Sequence, residues 1–297
     1  MTRMIAAFSE ISQSYRAVFC DLWGCLHNGK TAFPAAVAAL RRFRAGGGTV
    51  VLMTNAPRPA GSVVAQLDRL GVPHDGYDLV VSAGDAAQQA WVGGAVGRRV
   101  HFIGAEKDMP FFTDLAPELV ALDAKLPACS FVPVAEAEGI VCTGLHDDLT
   151  ETPADYRATL LLGKTRGLTM LCTNPDIVVD MGDKRIFCAG ALARDYEEMG
   201  GEVLYFGKPH PSIYDLARRR LTATVGDIPN EDILCIGDGP FTDILGGQTE
   251  GIDTLFITGG IEAHRFGPEP TRPDKDLLEA WLAEQGLSPG FAMSHLA

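Results

Sequence analysis

Four polar residues of this 297-residue chain each end a short apolar run. Asp21 ends "AVFCD", Thr54 lies near the end of "TVVLMTN", Lys208 ends "EVLYFGK" and Asp238 ends "DILCIGD". Continuous apolar runs of this length, rich in β-branched residues, are typical of parallel strands that are covered on both faces. In an open parallel sheet, ligands bind beyond the carboxyl ends of the strands. The pattern therefore predicts that the fold gathers these four distant residues into one cleft.

The types of these residues suit phosphoryl chemistry. A carboxylate can attack a phosphoryl group and form an aspartyl-phosphate, which splits a difficult hydrolysis into two displacements. Asp21 is the predicted nucleophile. Because a phosphate dianion repels a carboxylate, a hard cation has to bridge the two, and Mg²⁺ typically takes one or two carboxylates together with waters and a substrate oxygen. Asp21 and Asp238 are the predicted carboxylate ligands.

The other polar residues would stabilise charge without bonding to phosphorus. Lys208 offers a compact positive charge to the equatorial oxygens of the phosphoryl group, and the Thr54 hydroxyl and nearby backbone amides can donate hydrogen bonds to it. Asp243 lies five residues after Asp238 in "GDGPFTD". It could orient either Lys208 or a metal-bound water.

Helical patterns separate the apolar runs. Pro34 opens "PAAVAALRRFRAGGG", in which proline at the start and glycine at the end follow the usual asymmetry of helix termini. "PSIYDLARRRL" from Pro211 places its apolar residues on one side, and "LLEAWLAEQG" from Leu277 is typical of a closing helix. Alternating strands and helices predict an α/β fold with a doubly wound parallel sheet.

The interval between the second and third apolar runs is too long for a single crossover. It contains the strand-like segments "RRVHFIG", "GIVCTG" and "TMLCTN", and a helix-like segment that begins at Thr152. We therefore expect residues 85–180 to form an inserted α/β domain, and residues 1–84 and 181–297 to form the core domain.

Composition and charge exclude several classes of protein. A formal net charge of −13 disfavours a nucleic-acid partner, which requires clustered Lys and Arg. The start "MTRMIAAFSEI" lacks the apolar core of a secretory signal, and no stretch approaches the roughly 18 apolar residues of a membrane helix. The seven cysteines form no C-x-x-C pair, which favours free thiols in a reducing compartment. The sequence thus predicts a cytoplasmic protein without nucleic-acid or membrane partners, and leaves the oligomeric state, a homodimer included, open.

The motifs occur in an order that resembles a known family. "DLWGCL" at Asp21, "TNAPRP" at Thr54, "GKPHP" at Gly207 and "GDGPFTD" at Gly237 are similar to its first, second, lysine and acidic motifs. "CTNPD" and "GALARDYEEMGG" are similar to its usual lead into the lysine motif. The family is the haloacid dehalogenase superfamily, class IIA, the branch that contains the NagD-like sugar and nucleotide phosphatases. The resemblance spans nearly the whole chain.

The resemblance implies a Rossmann-like core, a substrate-selecting cap formed by the inserted domain, and Mg²⁺ as cofactor. It implies hydrolysis of a small phosphate monoester, a sugar phosphate or a nucleotide, through an aspartyl-phosphate. The residue roles that it implies are a nucleophile at Asp21, phosphate contacts at Thr54 and Asn55, a charge clamp at Lys208 and a metal ligand at Asp238.

Trp23 departs from the pattern that the resemblance implies. The main-chain carbonyl of residue 23 would be a further metal ligand, and tryptophan retains it. The usual D-x-D motif, however, has an aspartate here that protonates the leaving oxygen and later activates water. The indole nitrogen can only donate a hydrogen bond, and loss of a general acid or base commonly costs about 10² to 10⁴ in rate. The enzyme would then be slow, favour good leaving groups, or use another group such as His27 or a metal-bound water. His27 could reach the cleft only if its segment folds back as a hairpin.

Structural interpretations of the same residues stay open. An aspartate at a strand end is often a turn cap, and Thr54 and Asn55 could cap the helix that follows. Trp23 could be a packing residue under the cap or an aromatic wall that stacks on a ligand. The alternative function, from another class, is a catalytically weak binding protein that senses a phosphorylated metabolite in the same cleft. The order of the motifs favours the phosphatase.

Overall fold

The fold is α/β, as the sequence predicts, and a computed structural model describes residues 2–182 and 184–297. The strands are β1 Arg3–Met4, β2 Ala17–Cys20, β3 Thr49–Thr54, β4 Leu79–Ser82, β5 Arg99–Ile103, β6 Ser130–Phe131, β7 Gly139–Cys142, β8 Thr169–Cys172, β9 Val178–Met181, β10 Lys184–Phe187, β11 Glu202–Tyr205, β12 Ile233–Gly237, β13 Asp253–Ile257 and β14 Phe291–Met293. The helices are α1 Pro34–Ala45, α2 Ala60–Arg69, α3 Ala83–Val92, α4 Pro110–Thr113, α5 Pro117–Asp123, α6 Arg157–Thr165, α7 Ala189–Glu198, α8 Pro211–Val225, α9 Leu245–Thr249 and α10 Lys275–Gln285.

The first sheet has seven strands in the order β1-β14-β13-β12-β2-β3-β4. All neighbours run parallel, and β2 pairs with β12 in the register Ala17↔Ile233 to Cys20↔Ile236. From this central pair the chain proceeds through β3 and β4 to one edge, and through β13 and β14 towards the other. The strand order therefore reverses between β2 and β12, which is where open α/β sheets bind their ligands.

Strands of the first sheet are apolar along their whole length because helices cover both faces. Every residue of β2 and β3 is buried. On one face, Val18 and Leu52 pack in a cluster with Leu40 of α1, and on the other Phe19 packs with Ile213 of α8. The predicted helix starts at Pro34 and Pro211 are confirmed.

A second sheet has five parallel strands in the order β11-β8-β7-β5-β6. Its central strand β7 is fully buried, with Ile140 in a cluster on one face and Val141 in a cluster on the other. An antiparallel hairpin, β9 with β10, follows β8. The strands that the sequence predicted inside the insertion are thus present as β5, β7 and β8.

The assignment of one strand to a sheet was wrong. The apolar run at Glu202–Tyr205 was expected in the core domain, in the same sheet as the strands that precede Asp21 and Asp238, but β11 pairs with β8 at the edge of the second sheet. An apolar run reports that a strand packs against other elements, and it carries no information about which strand is its neighbour. The second sheet thus extends beyond residue 180, while the domain ranges 1–84, 85–180 and 181–297 stay a prediction.

The seven cysteines are free thiols, and all except the half-buried Cys129 are buried. This confirms the predicted free thiols. Within residues 2–182 and 184–297, each helix is too short or too polar to span a bilayer.

Candidate active site

Lys208 is the centre of a buried cluster of charges. Its ammonium lies 2.5 Å from Asp21 Oδ1 and 2.7 Å from Asp243 Oδ1, and donates to the Met53 carbonyl at 3.0 Å. The side chain is only 2% exposed. Burial alone would lower the pKa of Lys208, but the Asp21 and Asp243 carboxylates raise it, so the ammonium form is retained. The fold therefore brings Lys208 to the ends of β2 and β3, although Lys208 itself follows a strand of the other sheet.

Asp21 and Asp238 follow the neighbouring central strands β2 and β12, and their carboxylates are close. One ligand atom from each, together with Cys25 Sγ, lies within 4.8 Å of the others. Burial raises the pKa of Asp21, and burial together with the charge of Asp21 raises that of Asp238 well above its usual range. Lys208 offsets the charge of Asp21 only in part, because it also pairs with Asp243, so the neighbouring carboxylates of Asp21 and Asp238 fit a hard divalent cation. Burial also raises the pKa of the Cys25 thiol, so Cys25 remains a neutral thiol, a poor ligand for Mg²⁺.

The turn after Asp21 lies directly against Asp238. Gly24 has a φ of +72°, and a Cβ built on it would lie 2.0 Å from Asp238 Oδ2. Only glycine fits this backbone conformation and this spacing. The main chain that carries the Trp23 carbonyl is therefore adjacent to Asp238, as a shared metal site requires.

Thr54 is the last residue of β3 and Asn55 follows it, and the two side chains have different surroundings. Thr54 Oγ1 accepts from the Ala56 N–H at 3.2 Å, which leaves the hydroxyl hydrogen available for another acceptor. Asn55 Nδ2 donates to Asp176 Oδ1 at 2.9 Å and to the Lys208 carbonyl at 3.0 Å, and Asn55 Oδ1 accepts from the Lys208 N–H at 2.7 Å. Both amide hydrogens thus have acceptors, and the Asn55 side chain fixes the main chain of Lys208.

Asp243 lies in a π-helical turn, Pro240–Ile244, between β12 and α9. Besides its ion pair with Lys208, it accepts from the Gly239 N–H at 3.1 Å. Burial raises the pKa of Asp243 to about 6, against the opposing effect of Lys208. Of the two predicted functions, orienting Lys208 is the one that these contacts support.

The segment from Trp23 to His27 does fold back, as a proton-transfer function of His27 would require. The Gly24 N–H donates to the His27 carbonyl at 2.9 Å. The His27 side chain is nevertheless 1% exposed and is not part of the cavity wall, and its Nδ1 accepts from the Gly29 N–H at 3.1 Å. Burial lowers its pKa to about 4. The suggested use of His27 as a substitute proton donor is therefore wrong, because the side chain points into the protein.

Trp23 packs against its own turn and also lines the cavity. One part of the half-buried indole packs edge-on against His27, with 5.2 Å between ring centroids, and against Gly29. The residue is also part of the wall of the cavity that Asp21 and Lys208 line. Trp23 is thus a packing residue with a surface on this cavity, and the stacking of its indole on a ligand stays a prediction.

A cavity of about 830 Å³ extends from this cluster to the second sheet. Its wall includes Asp176, Asp108 and the apolar side of the β9–β10 hairpin, none of which the sequence identified as functional. The "CTNPD" match could have drawn attention to Asp176. The hairpin was missed because two short strands of mixed polarity give no periodic signal.

Comparison with known proteins agrees with this fold and site. The family model for haloacid dehalogenase-like hydrolases matches residues 18–116, and the HAD-hydrolase-like model matches residues 205–280. A crystal structure of a hydrolase of the haloacid dehalogenase-like family from Brucella suis 1330 is 39% identical, with a TM-score of 0.84, and the match covers 99% of this chain and 100% of that one. The chain belongs to the haloacid dehalogenase-like hydrolase family.

Curated relatives are more distant. A D-glycerol 3-phosphate phosphatase from Mycobacterium tuberculosis is 28% identical over 86% of this chain, and the match spans 66% of that longer protein. The ribonucleotide monophosphatase NagD from Escherichia coli K12 is 26% identical, over 83% of this chain and 88% of NagD. The predicted resemblance to the NagD-like branch is thereby confirmed.

Proposed function

We propose that this protein is a Mg²⁺-dependent phosphatase that hydrolyses a small phosphate monoester through an aspartyl-phosphate on Asp21. The observation that carries the proposal is the buried Lys208 ammonium held between Asp21 and Asp243, with Asp238 beside them. A nucleophilic carboxylate, a fixed positive charge and a second acidic ligand are the groups that phosphoryl transfer to a carboxylate requires. An ion pair kept only for stability would not need two further buried carboxylates around it.

Each residue of the site has a distinct role. Asp21 attacks phosphorus, while Lys208 and the Thr54 hydroxyl stabilise the charge on the phosphoryl oxygens. The main-chain N–H of Asn55 is the phosphate donor at that position, since the Asn55 side chain is engaged with Lys208. Asp243 keeps the Lys208 ammonium in place.

Mg²⁺ would be held by Asp21, Asp238 and the Trp23 carbonyl. It would supply the positive charge that lets a carboxylate approach a phosphate dianion. The raised pKa values of Asp21 and Asp238 support this assignment, because two neighbouring buried carboxylates are stable as anions only beside positive charge.

The substrate is a small phosphorylated metabolite, a sugar phosphate, a polyol phosphate or a nucleotide. The volume of about 830 Å³ accommodates a ligand of this size. Two matched relatives are named as phosphatases of glycerol 3-phosphate and of ribonucleotides. The second sheet and the β9–β10 hairpin would act as the cap that selects among such substrates.

The test is phosphate release from p-nitrophenyl phosphate and acetyl phosphate by the purified chain, with and without Mg²⁺. Asp21→Asn should abolish release. Asp232→Asn is the matched control. Asp232 lies just before β12, at the end of the strand opposite to Asp238, and its side chain forms a surface ion pair with Arg16 at 3.6 Å. Release that persists in Asp21→Asn, or that is unaffected by chelation of the metal, would contradict the proposal.

One observation favours a second candidate function, a sensor that binds a phosphorylated metabolite without turning it over. Trp23 occupies the position of the usual acid/base aspartate and presents an indole to the cavity. A sensor would show background turnover, and a metabolite-dependent rise in melting temperature that survives Asp21→Asn.

A further inference from the structure

Asp176 shares the cavity with Asp21 and Lys208. It follows β8 in the "CTNPD" segment, and this half-buried residue lines the cavity. Its Oδ1 accepts from Asn55 Nδ2 at 2.9 Å, and the same Asn55 side chain binds the main chain of Lys208 on both sides. One amide group therefore couples Asp176 to the lysine that faces the nucleophile.

The turn that carries Asp176 is held in a fixed position. The Asp176 N–H donates to Asn174 Oδ1 at 3.0 Å, and its carbonyl accepts from the Gly190 N–H at 3.1 Å at the start of α7. A Cβ built on Gly190 would lie 2.1 Å from the Pro175 carbonyl oxygen, so helix and turn are in close contact. A side chain held in this way can be presented to a substrate with little reorganisation.

Most other carboxylates in the described part of the cavity wall already have a basic partner. The pairs are Asp21 and Asp243 with Lys208, Asp108 with Arg58, Asp148 with Lys107, Asp180 with Arg185 and Glu262 with Arg265. Asp238 is a proposed metal ligand, and Glu197 accepts from the Tyr205 hydroxyl at 2.6 Å. Asp176 has one amide donor and a second oxygen for which the structure gives no hydrogen bond.

The surroundings allow Asp176 to exchange a proton near neutral pH. Burial raises its pKa to about 6, against the opposing charge of Lys208. The charged and titratable groups around it are the Lys208 ammonium, the Asp21 and Asp243 carboxylates, and the Cys172 and Cys188 thiols, which burial keeps neutral. Both forms of a group with such a pKa are accessible, as a residue that acts first as an acid and then as a base requires.

We propose that Asp176 transfers the protons for which Trp23 has no suitable group. The proposal rests on the phosphatase function. As Asp21 bonds to phosphorus, the ester bond breaks, its electron pair stays on the leaving oxygen, and protonated Asp176 gives that oxygen its proton. Asp176, now a carboxylate, then takes a proton from the water that attacks the aspartyl-phosphate. Phosphate leaves, Asp21 regains its carboxylate, and Asp176 is again an acid.

The first test compares leaving groups in Asp176→Asn, a substitution that keeps the acceptor for Asn55. With glycerol 3-phosphate, whose alkoxide has to be protonated, we expect kcat to fall about 100-fold. With p-nitrophenyl phosphate, whose phenolate leaves unprotonated, the first step should be nearly unaffected. Removing the base slows hydrolysis of the acyl-phosphate on Asp21. The acyl-phosphate should therefore accumulate, and p-nitrophenolate should appear in an initial burst. Asp232→Asn, at a surface carboxylate outside the cavity wall that pairs with Arg16, is the control and should change neither substrate's kcat by more than about threefold.

The second test asks whether an aspartate at position 23 makes Asp176 dispensable. Trp23→Asp should raise the turnover of glycerol 3-phosphate, and adding Asp176→Asn to it should then cost less than about threefold. An equal loss in both backgrounds would overturn the proposal, because a merely positioning role would be independent of residue 23. An unchanged kcat for glycerol 3-phosphate in Asp176→Asn would also overturn it. A wild-type chain without Asp21-dependent phosphate release would instead refute the phosphatase function itself.

Discussion

The cavity has two sides that differ in chemistry and in packing. The charged floor, which consists of Asp21, Lys208, Asp238 and Asp243, is buried and held by ion pairs and hydrogen bonds. The hairpin wall, formed by β9 and β10 with Ile177, is largely apolar towards the cavity and carries exposed side chains, such as Ile177 at 38% and Phe187 at 36%. Both sides line the same cavity, although the floor lies at the first sheet and the wall is formed by the β9–β10 hairpin.

Under the proposed function, the floor performs the phosphoryl chemistry and the hairpin wall recognises the rest of the substrate. Phosphoryl transfer requires charges fixed to within a fraction of an ångström, and only a buried cluster of mutually bonded groups keeps them there. Recognition of the rest of a substrate requires contact area, which exposed apolar side chains provide and can adjust. Substitutions in the floor should therefore change kcat far more than substitutions in the hairpin wall.

Replacing the central charge of the floor should have the largest effect. In Lys208→Met, kcat should fall about 10³-fold, because the phosphoryl oxygens lose their fixed cation and the buried carboxylates of Asp21 and Asp243 lose their partner. Lys208→Arg should not restore the rate, since a planar guanidinium cannot replace a compact ammonium here. Steady-state kinetics with a melting curve checks this, and Lys184→Met on the hairpin wall is the control. A loss below tenfold would show that the floor is not the site of the chemistry.

Removing the second partner of Lys208 should have a smaller effect. In Asp243→Asn, we expect kcat to fall about 30- to 100-fold, because the ammonium keeps Asp21 but loses its other carboxylate. The pKa of Asp243 is about 6, and its charged form orients Lys208. Wild-type activity should therefore fall as the pH drops through 6, and the variant should lack this dependence. A pH–rate profile identical to that of the wild type would contradict the assigned role.

The buried His27, which packs against Trp23, should make stability depend on pH. Its folded-state pKa of about 4 lies below the ordinary 6.5, so the unfolded chain binds more protons between these values and stability rises with pH. From pH 7 to pH 5, this group should cost on the order of 2 kcal/mol in the free energy of unfolding. His27→Asn should remove this share in urea titrations at the two pH values. The same change at the exposed His264 should leave the pH dependence intact.

Truncating the hairpin wall should have the smallest effect, confined to binding. Phe187→Ala removes a partly exposed apolar side chain from the cavity and should raise KM about threefold without altering kcat. Substrate-dependent kinetics with several phosphate monoesters checks this. A fall in kcat as large as that of Asp243→Asn would show that the wall also takes part in the chemistry.

Some features of the site were accessible from the sequence because they are local. The ends of β2, β3 and β12 follow from apolar runs that stop at a polar residue, and the helix starts at Pro34 and Pro211 follow from the fixed φ of proline. The nearness of Asp21 and Asp238 required one further rule, that ligands bind where the strand order reverses. No local pattern could reveal that His27 turns inwards, because the orientation of its ring depends on the Gly29 N–H and on the packing around Trp23.

The fold class, the order of the motifs and the residue types available for phosphoryl chemistry could be inferred from the amino-acid sequence, because they depend on periodicity and composition along the chain. Three features emerged only from tertiary packing: Lys208 reaches the floor from a strand of the second sheet, Asn55 joins it to Asp176, and the hairpin forms a wall. These are contacts between segments 30 to 190 residues apart. Strand pairing and side-chain burial are settled only when all elements pack at once, so they leave no signature in any single segment.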